Sequence, residues 1–350
     1  MKPQNNFYRL LSIMSGTSLD GVDLAICSFK KKGGWTYKIE KTETINYTKY
    51  WQKTLSELSA KTDEVIKKID VEYGNFLADI INKFLQNEEV DFIASHGHTI
   101  FHQPENNFTL QIGCGQTIAN NTKIITINDF RSLDVSLNGQ GAPLVPIGDL
   151  HLFSDYKYCV NLGGFANISM KNNNHISAFD ICPVNIVMND LCKKIGKEFD
   201  EKGKIAKNGN LIPQLLDKLN DLDFYKQQPP KSLGREWVEA HVQPLMSGAY
   251  TAEDMLNTFC EHIAIQIGKF LLNEKVLFTG GGTFNNYLIS RVQYYSKSEI
   301  IIPSQQIIEY KEALIFAFLG ILKVRNDVNC LRSVTGATRD NSGGKIHLPK

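Results

Sequence analysis

The 350-residue sequence contains no apolar run near the ~18 residues that a bilayer span requires. Its opening MKPQNNFYRLLSIM has neither the core nor the cleavage site of a signal peptide. Neither charge dominates: 38 Lys and Arg face 37 Asp and Glu, a formal net charge of +1, so nothing argues for nucleic acid or an anionic membrane as partner. The seven cysteines (27, 114, 159, 182, 192, 260 and 330) are odd in number, lie mostly in apolar runs and are never spaced C-x-x-C, which fits reduced thiols in a cytoplasm. The zinc pattern HExxH is missing as well. His96, His98 and His102 of SHGHTIFHQP therefore read better as a polar pocket wall for a sugar or nucleotide than as a metal site. No GxxxxGK[ST] and no GxGxxG occurs. The expectation is a soluble cytoplasmic protein with no nucleic acid, membrane or protein-held metal partner.

What is present is a 42% hydrophobic chain, long enough for two domains and a cleft. YRLLSIM, VDLAICSF and WTYKIEKTETINY read as consecutive strands. A helical region follows from Trp51 to Leu85, then VDFIASHG as a buried strand, then NFTLQIGCGQTIANNTKIITINDF as strand, short helix and strand. Alternating strands and helices make the class α/β. Residues 128 to 150, rich in Gly, Pro and Asp, read as a functional loop or domain junction. Beyond it the opening pattern returns in YKYCVNLGGFANISM and HISAFDIC, and KVLFTGGGTFNNYLISRV reads as strand, triple-Gly turn and helix. YKEALIFAFLGILKV is apolar nearly all round, as a helix buried between layers would be.

Three Gly-rich turns, at 16 to 21, 163 to 164 and 280 to 282, each follow a buried strand. Glycine lets backbone N–H groups converge on an anion, and Thr or Ser hydroxyls add donors. Singly each is an ordinary turn. Together, the strand-turn-strand pair in successive halves and the later strand-to-helix turn suggest a clamp on ATP, with Asp20 and Asp23 acting through Mg²⁺. Asp180 in SAFDICPVN ends a strand, either as a helix N-cap or as a general base at the floor of a cleft.

Ten blocks then occur in one order: MSGTSLDGVD, SHGHTIFH, LQIGCGQTIA, NDFRSLDVSLNGQGAPLVPIGD, VNLGGFANIS, AFDICPVN, PPKSLGREW, FTGGGTFNNYL, KEALIFAFLG and SVTGAT. From Leu11 to Thr338 the chain resembles the anhydro-N-acetylmuramic acid kinases. The resemblance implies a two-domain actin-like, ribonuclease H-like ATPase fold with mixed sheets and an ATP cleft between domains. The expected domains are 1–128, completed by about 330–350, and 129–329. It implies hydrolytic opening of a 1,6-anhydro-amino-sugar with phosphorylation of O6, in peptidoglycan recycling. Alternatives are a kinase of another anhydro-sugar such as levoglucosan, or a non-catalytic actin-like nucleotide-binding protein. A homodimer is left possible, and no stretch marks an interface.

By position, the resemblance makes Asp180 the base. It assigns Gly16, Thr17, Ser18, Asp20, Gly21 and Asp23 to the first phosphate turn, Gly163, Gly164 and Asn167 to the second, and Gly280, Gly281, Gly282 and Asn285 to the adenosine side. His96, Asp129, Arg131, Gln140 and Pro143 would line or support the sugar side. Arg131 would face the substrate carboxylate or else pair with Asp129 or Asp134. Glu312 would order water or Mg²⁺, or form a structural ion pair. The chain departs from the family's usual D-T-G-P-G-N at Ile181, Cys182 and Val184, which puts in doubt any positive φ needed at 182 or 184. It also has His98 in place of Gln and Leu233 in place of Thr.

Overall fold

The computed structural model describes residues 6–16, 19–172, 175–246, 250–271 and 273–350. The chain divides by its contacts into two compact units, Met1–Leu152 with Tyr310–Lys350, and Phe153–Glu309. In chain order the first holds β1 (Phe7–Ser15), β2 (Gly21–Lys32), β3 (Gly34–Asn46), β4 (Phe92–Ser95), β5 (His98–Gln103), β6 (Phe108–Ile112) and β7 (Thr126–Asn128). The second holds β8 (Tyr158–Leu162), β9 (Phe165–Asn172), β10 (His175–Pro183), β11 (Lys275–Thr279) and β12 (Glu299–Ile301). The last strand, β13 (Lys345–His347), returns to the first unit.

Both units carry the same five-strand arrangement. In the first, β3, β2 and β1 pair antiparallel, and β1, β4 and β7 continue in parallel, with β13 added antiparallel at the edge. In the second, β10, β9 and β8 pair antiparallel, and β8, β11 and β12 continue in parallel. The expected mixed-sheet α/β arrangement is thus present in each unit. β5 and β6 form a separate two-stranded ribbon.

The near-continuous apolar runs of β1 and β2 follow from a sheet covered on both faces, where alternation has no solvent side to mark. Helix Asp63–Leu85 places Ile66, Tyr73, Leu77, Ile81 and Phe84 among Leu11, Ile13, Val22, Leu24 and Ile93. Opposite, helix Gln305–Arg325 brings Phe318 onto Phe29 and Trp35, at 5.8 and 5.1 Å between ring centroids. Gly320 sits so close that an added Cβ would stand 3.0 Å from that of Ala94. In the second unit, helix Ala252–Gly268 buries Leu256, Phe259, Ile263 and Ile267 in the core that contains Val160, Ile168 and Phe278. Each such aliphatic or aromatic side chain contributes about 1.5–3 kcal/mol by leaving water.

The contact boundaries fall after residues 152 and 309, whereas the sequence suggested 128 and 329. Residues 129–152 stay with the first unit because they are tied to its C-terminal segment. Asp134, fully buried, accepts from Gly141 N (2.8 Å), Cys330 Sγ (3.0 Å), Thr335 Oγ1 (2.9 Å) and Asn341 Nδ2 (2.7 Å). Asp149 pairs with Lys311 at 2.8 Å, both buried, and an added Cβ on Gly148 would lie 2.5 Å from Ile315. The long helix changes units at Tyr310, whose φ −115° and ψ 17° leave the helical region. Replacing Asp134 by Ala would strand buried donors that no water reaches. We expect a loss of about 3 kcal/mol or more in urea unfolding, and a loss below about 1 kcal/mol would contradict this role.

Candidate functional site

Asp180 lies in β10, three residues before that strand's end, so it is not a helix N-cap. The helix Asn185–Lys193 is preceded by Val184, which makes no side-chain cap. The pairing of β10 with β9 shifts register between Asp180 and Cys182. Across the sheet the register sets Asp180 beside Asn167, Asn167 beside Asn161, and Asn161 beside Thr279. Asn167, which the resemblance assigned to the second phosphate turn, therefore stands beside Asp180, and Asn161 joins the row.

The departures at 181, 182 and 184 are resolved by packing. All three side chains are fully buried in the second unit's core, and neither Cys182 nor Val184 has positive φ. Apolar bulk stands at 181 and 182, and Val184, at φ −132° and ψ −99°, lies outside the helical and extended regions without needing a positive φ.

Asp180 is fastened by a segment that carries no acid or base toward it. Its N–H donates to Lys231 O (3.0 Å), and Leu233 N–H donates to Oδ2 (2.9 Å). Only the backbone of residue 233 is needed, so Leu for Thr leaves this bond intact. The segment is itself held by Lys231 Nζ donating to Phe224 O (3.0 Å) and by Trp237 packing on Phe224 and Tyr225. Behind Tyr225, the buried His262 bridges its hydroxyl (2.9 Å) and Asn220 Oδ1 (2.8 Å), and burial keeps its pKa down at about 3. Burial pushes the Asp180 carboxyl above the ordinary aspartate value, and the Leu233 N–H works against that shift.

The glycines of the second unit divide by their surroundings. Gly280 has φ +85°, and an added Cβ would meet Asn161 Oδ1 at 2.6 Å. One on Gly282 would meet Leu162 at 2.8 Å. These two are demanded by packing. At Gly164 and Gly281 an added Cβ meets nothing closer than 3.9 Å, and neither has positive φ, so open space lies where a side chain would stand. The carbonyls of Gly163 and Gly164 accept from Asn185 N and Val184 N, so this turn also caps the helix that follows Asp180. Asn285 caps helix Asn286–Ser296 through Leu288 N (2.9 Å), a structural duty that occupies its Oδ1.

In the first unit the β1–β2 turn contains Gly16, Leu19 with φ +60°, and exposed Asp20; Thr17 and Ser18 lie outside the described residues. An added Cβ on Gly21 would stand 2.4 Å from Ile45 O, so that glycine is fixed by β3. Asp23 accepts from Thr44 Oγ1 (2.6 Å), which also meets Tyr310 OH (3.0 Å). Glu312, open to solvent, makes no ion pair among the described residues. Its carboxyl is raised by burial of its surroundings and by Asp23, against Arg131 and Lys311. Among the described residues no group of three His, Cys, Asp or Glu could hold a metal by itself.

Arg131 makes no ion pair with Asp129 or Asp134. Asp129, at φ +54°, pairs with Lys345 (2.7 Å) and accepts from Ser132 N, while Asp134 is spent in its own network. Instead Arg131 Nη1 donates to Gly141 O (2.7 Å), and Nη2 and Nε donate to His96 Nε2 (2.9 and 3.3 Å). A guanidinium only donates, so His96 is neutral with its proton on Nδ1; burial and Arg131 hold its pKa down at about 3. Three of the five guanidinium N–H groups are used, which leaves two for an acceptor outside. Gln140 is exposed, its N–H bonded to Thr335 O (2.8 Å), and Pro143 follows a cis peptide.

The sequence missed Asp134, Asn161 and the backbone of Leu233. Only Asn161 carried a signal, as the first residue of an Asn-x-Gly-Gly turn.

Comparison with known proteins bears on all of this. Residues 8–349 match the family described as anhydro-N-acetylmuramic acid kinase. A protein of that name from Saccharophagus degradans is 31% identical over 369 residues, covering 97% of this chain and 98% of its own. One from Actinobacillus pleuropneumoniae serotype 7 is 34% identical over 377 residues, covering 96% and 98%. Among solved structures, (R)-2-hydroxyglutaryl-CoA dehydratase component A of Acidaminococcus fermentans is a loose likeness, with TM-score 0.46 and 12% identity, covering 89% of this chain and 96% of its own. A match from residue 8 to residue 349, with relatives more than 30% identical that cover 96–97% of the chain, means that this chain belongs to the anhydro-N-acetylmuramic acid kinase family.

Proposed function

We propose that the chain is an ATP-dependent kinase that opens 1,6-anhydro-N-acetylmuramic acid with water and phosphorylates O6, giving N-acetylmuramic acid 6-phosphate and ADP, in peptidoglycan recycling. The observation that carries the reading is Asp180: a carboxylate in β10 with Oδ2 committed to Leu233 N–H, raised above the ordinary aspartate value by burial, in a row with Asn167 and Asn161.

In this reading Asp180 takes a proton from water as its oxygen bonds to C1 of the sugar. The C1–O6 bond breaks, its electron pair stays on O6, and O6 bonds to the γ-phosphorus as ADP departs with the former bridging pair. The leaving group of one half is the nucleophile of the other, so O6 needs no separate acid, and a single carboxylate suffices where inverting glycosidases use two. Asn167 and Asn161 orient the water and sugar beside the base. Open backbone at Gly164 and Gly281 suits ATP as phosphate donor. Mg²⁺ would neutralise phosphate charge, and Asp23 and Glu312 would be the groups to hold it. Arg131 offers its two unused N–H groups to the lactyl carboxylate.

Product analysis tests this. With Mg-ATP, 1,6-anhydro-N-acetylmuramic acid is turned over to the 6-phosphate with one ADP per sugar, and levoglucosan, which offers Arg131 no carboxylate, is turned over far less. Preference for levoglucosan, or ADP release without sugar phosphate, would overturn the reading.

A further inference from the structure

Beneath the β1–β2 turn, three buried hydroxyls close a ring. Ser15 Oγ lies 2.7 Å from Tyr47 OH and 3.0 Å from Tyr73 OH, and the two phenols are 2.5 Å apart. Burial raises both phenols, so each keeps its proton at neutral pH. Three oxygen–oxygen contacts thus share three protons, one for each edge, whichever way the ring runs.

Ser15 Oγ makes a fourth contact, 3.2 Å to His98 Nδ1. No hydroxyl proton remains for it, so the imidazole must supply one. His98 is buried, its pKa held down at about 4, and the ring is therefore neutral with its proton on Nδ1. Nε2 is then a bare lone pair, and among the described residues none donates to it.

The His98 imidazole lines a recess of about 180 Å³ in the first unit. Ser59 and Thr99 bring hydroxyls to the wall, Ser56 lies there with its hydroxyl donated to Lys53 O, Leu19, Leu55 and Ile100 bring apolar surface, and no charged side chain lines it. An occupant should therefore be neutral, donate one hydrogen bond to Nε2, accept from a hydroxyl and present a small apolar end.

Resting on the substrate proposed above, we infer that this recess takes the sugar's 2-acetamido group: its N–H donates to His98 Nε2, its carbonyl accepts from the Ser or Thr hydroxyls, and its methyl lies against Leu55 and Ile100. The acetamido carbon and the carbon bearing the lactyl ether are neighbours on the ring, so their subsites must adjoin. His98 and His96 are separated only by Gly97, at φ +75°, where an added Cβ would stand 2.5 Å from Ile112 O. One imidazole is bonded to Arg131 and the other opens on the recess, placing carboxylate and amide recognition side by side on one unit.

The test compares wild type, His98→Leu and His98→Gln on the N-acetylated anhydro-sugar and its 2-deoxy analogue, by KM, kcat and calorimetric Kd. Wild type should bind the 2-deoxy sugar about tenfold more weakly. His98→Leu should raise KM and Kd for the N-acetylated sugar about tenfold, with kcat within about twofold and the 2-deoxy sugar nearly unaffected. His98→Gln, which restores an acceptor, should stay within about threefold of wild type. Equal losses on both sugars, no loss in His98→Leu, or His98→Gln as poor as His98→Leu would overturn the proposal. Wild type that neither binds nor phosphorylates the N-acetylated sugar would instead bring down the substrate reading, and the proposal with it, before any variant is compared.

Discussion

Asp180→Asn should lower kcat by on the order of 10³-fold or more while ATP affinity stays within about twofold. Asparagine can accept the Leu233 N–H as aspartate does, so the local backbone has no reason to move; what is lost is the ability to take a proton from water. Nothing else in the row replaces it, since Asn167, Asn161 and Thr279 are not bases at neutral pH. The pH profile adds a second readout. The base must be ionised, and burial raises its pKa, so kcat/KM should fall as pH drops through a value above the ordinary aspartate range. An acid limb at or below that range would show that the buried carboxyl of Asp180 is not the titrating group. An Asp180→Asn enzyme of near wild-type kcat would remove it from the chemistry.

Arg131→Met should raise KM for the lactyl-bearing sugar by about 100-fold, the cost of losing a charge-assisted pair. The same variant should change KM for an anhydro-sugar without a carboxylate by no more than about twofold. Arg131→Lys should recover little, because a lysine cannot satisfy His96 Nε2 and Gly141 O together and still present a fork outward. Equal losses on both sugars would mean that Arg131 only supports its loop. That loop is held independently by Asp134 and by the Lys345–Asp129 pair, so it should survive the substitution and keep the comparison clean.

Much of the scaffold was legible because local pattern and tertiary burden agree. A sheet covered on both faces writes apolar runs such as VDLAICSF, and each Gly-rich turn interrupts such a run with glycine. Asp180 was legible as an acid in a strand, though β10 runs three residues beyond it. The partners that give these residues their properties were not. Asp134 is served by Cys330, Thr335 and Asn341, 196 to 207 positions away in the chain. Leu233 acts through a backbone N–H, which leaves no trace in side-chain identity. The unit boundaries were misjudged at 128 and 329 for the same reason: an apolar helix announces burial without announcing against which sheet. The glycines of GGGTF look alike in sequence, yet packing demands Gly280 and Gly282 and leaves open space at Gly281.

The central claim is that water enters at C1 while O6 of the same sugar accepts the phosphoryl group. Turnover of 1,6-anhydro-N-acetylmuramic acid with Mg-ATP in ¹⁸O-water, followed by mass spectrometry of the product fragments, tests it most directly. The account predicts one ¹⁸O at C1 and none in the phosphate. Label in the phosphate, or an unlabelled C1, would contradict it.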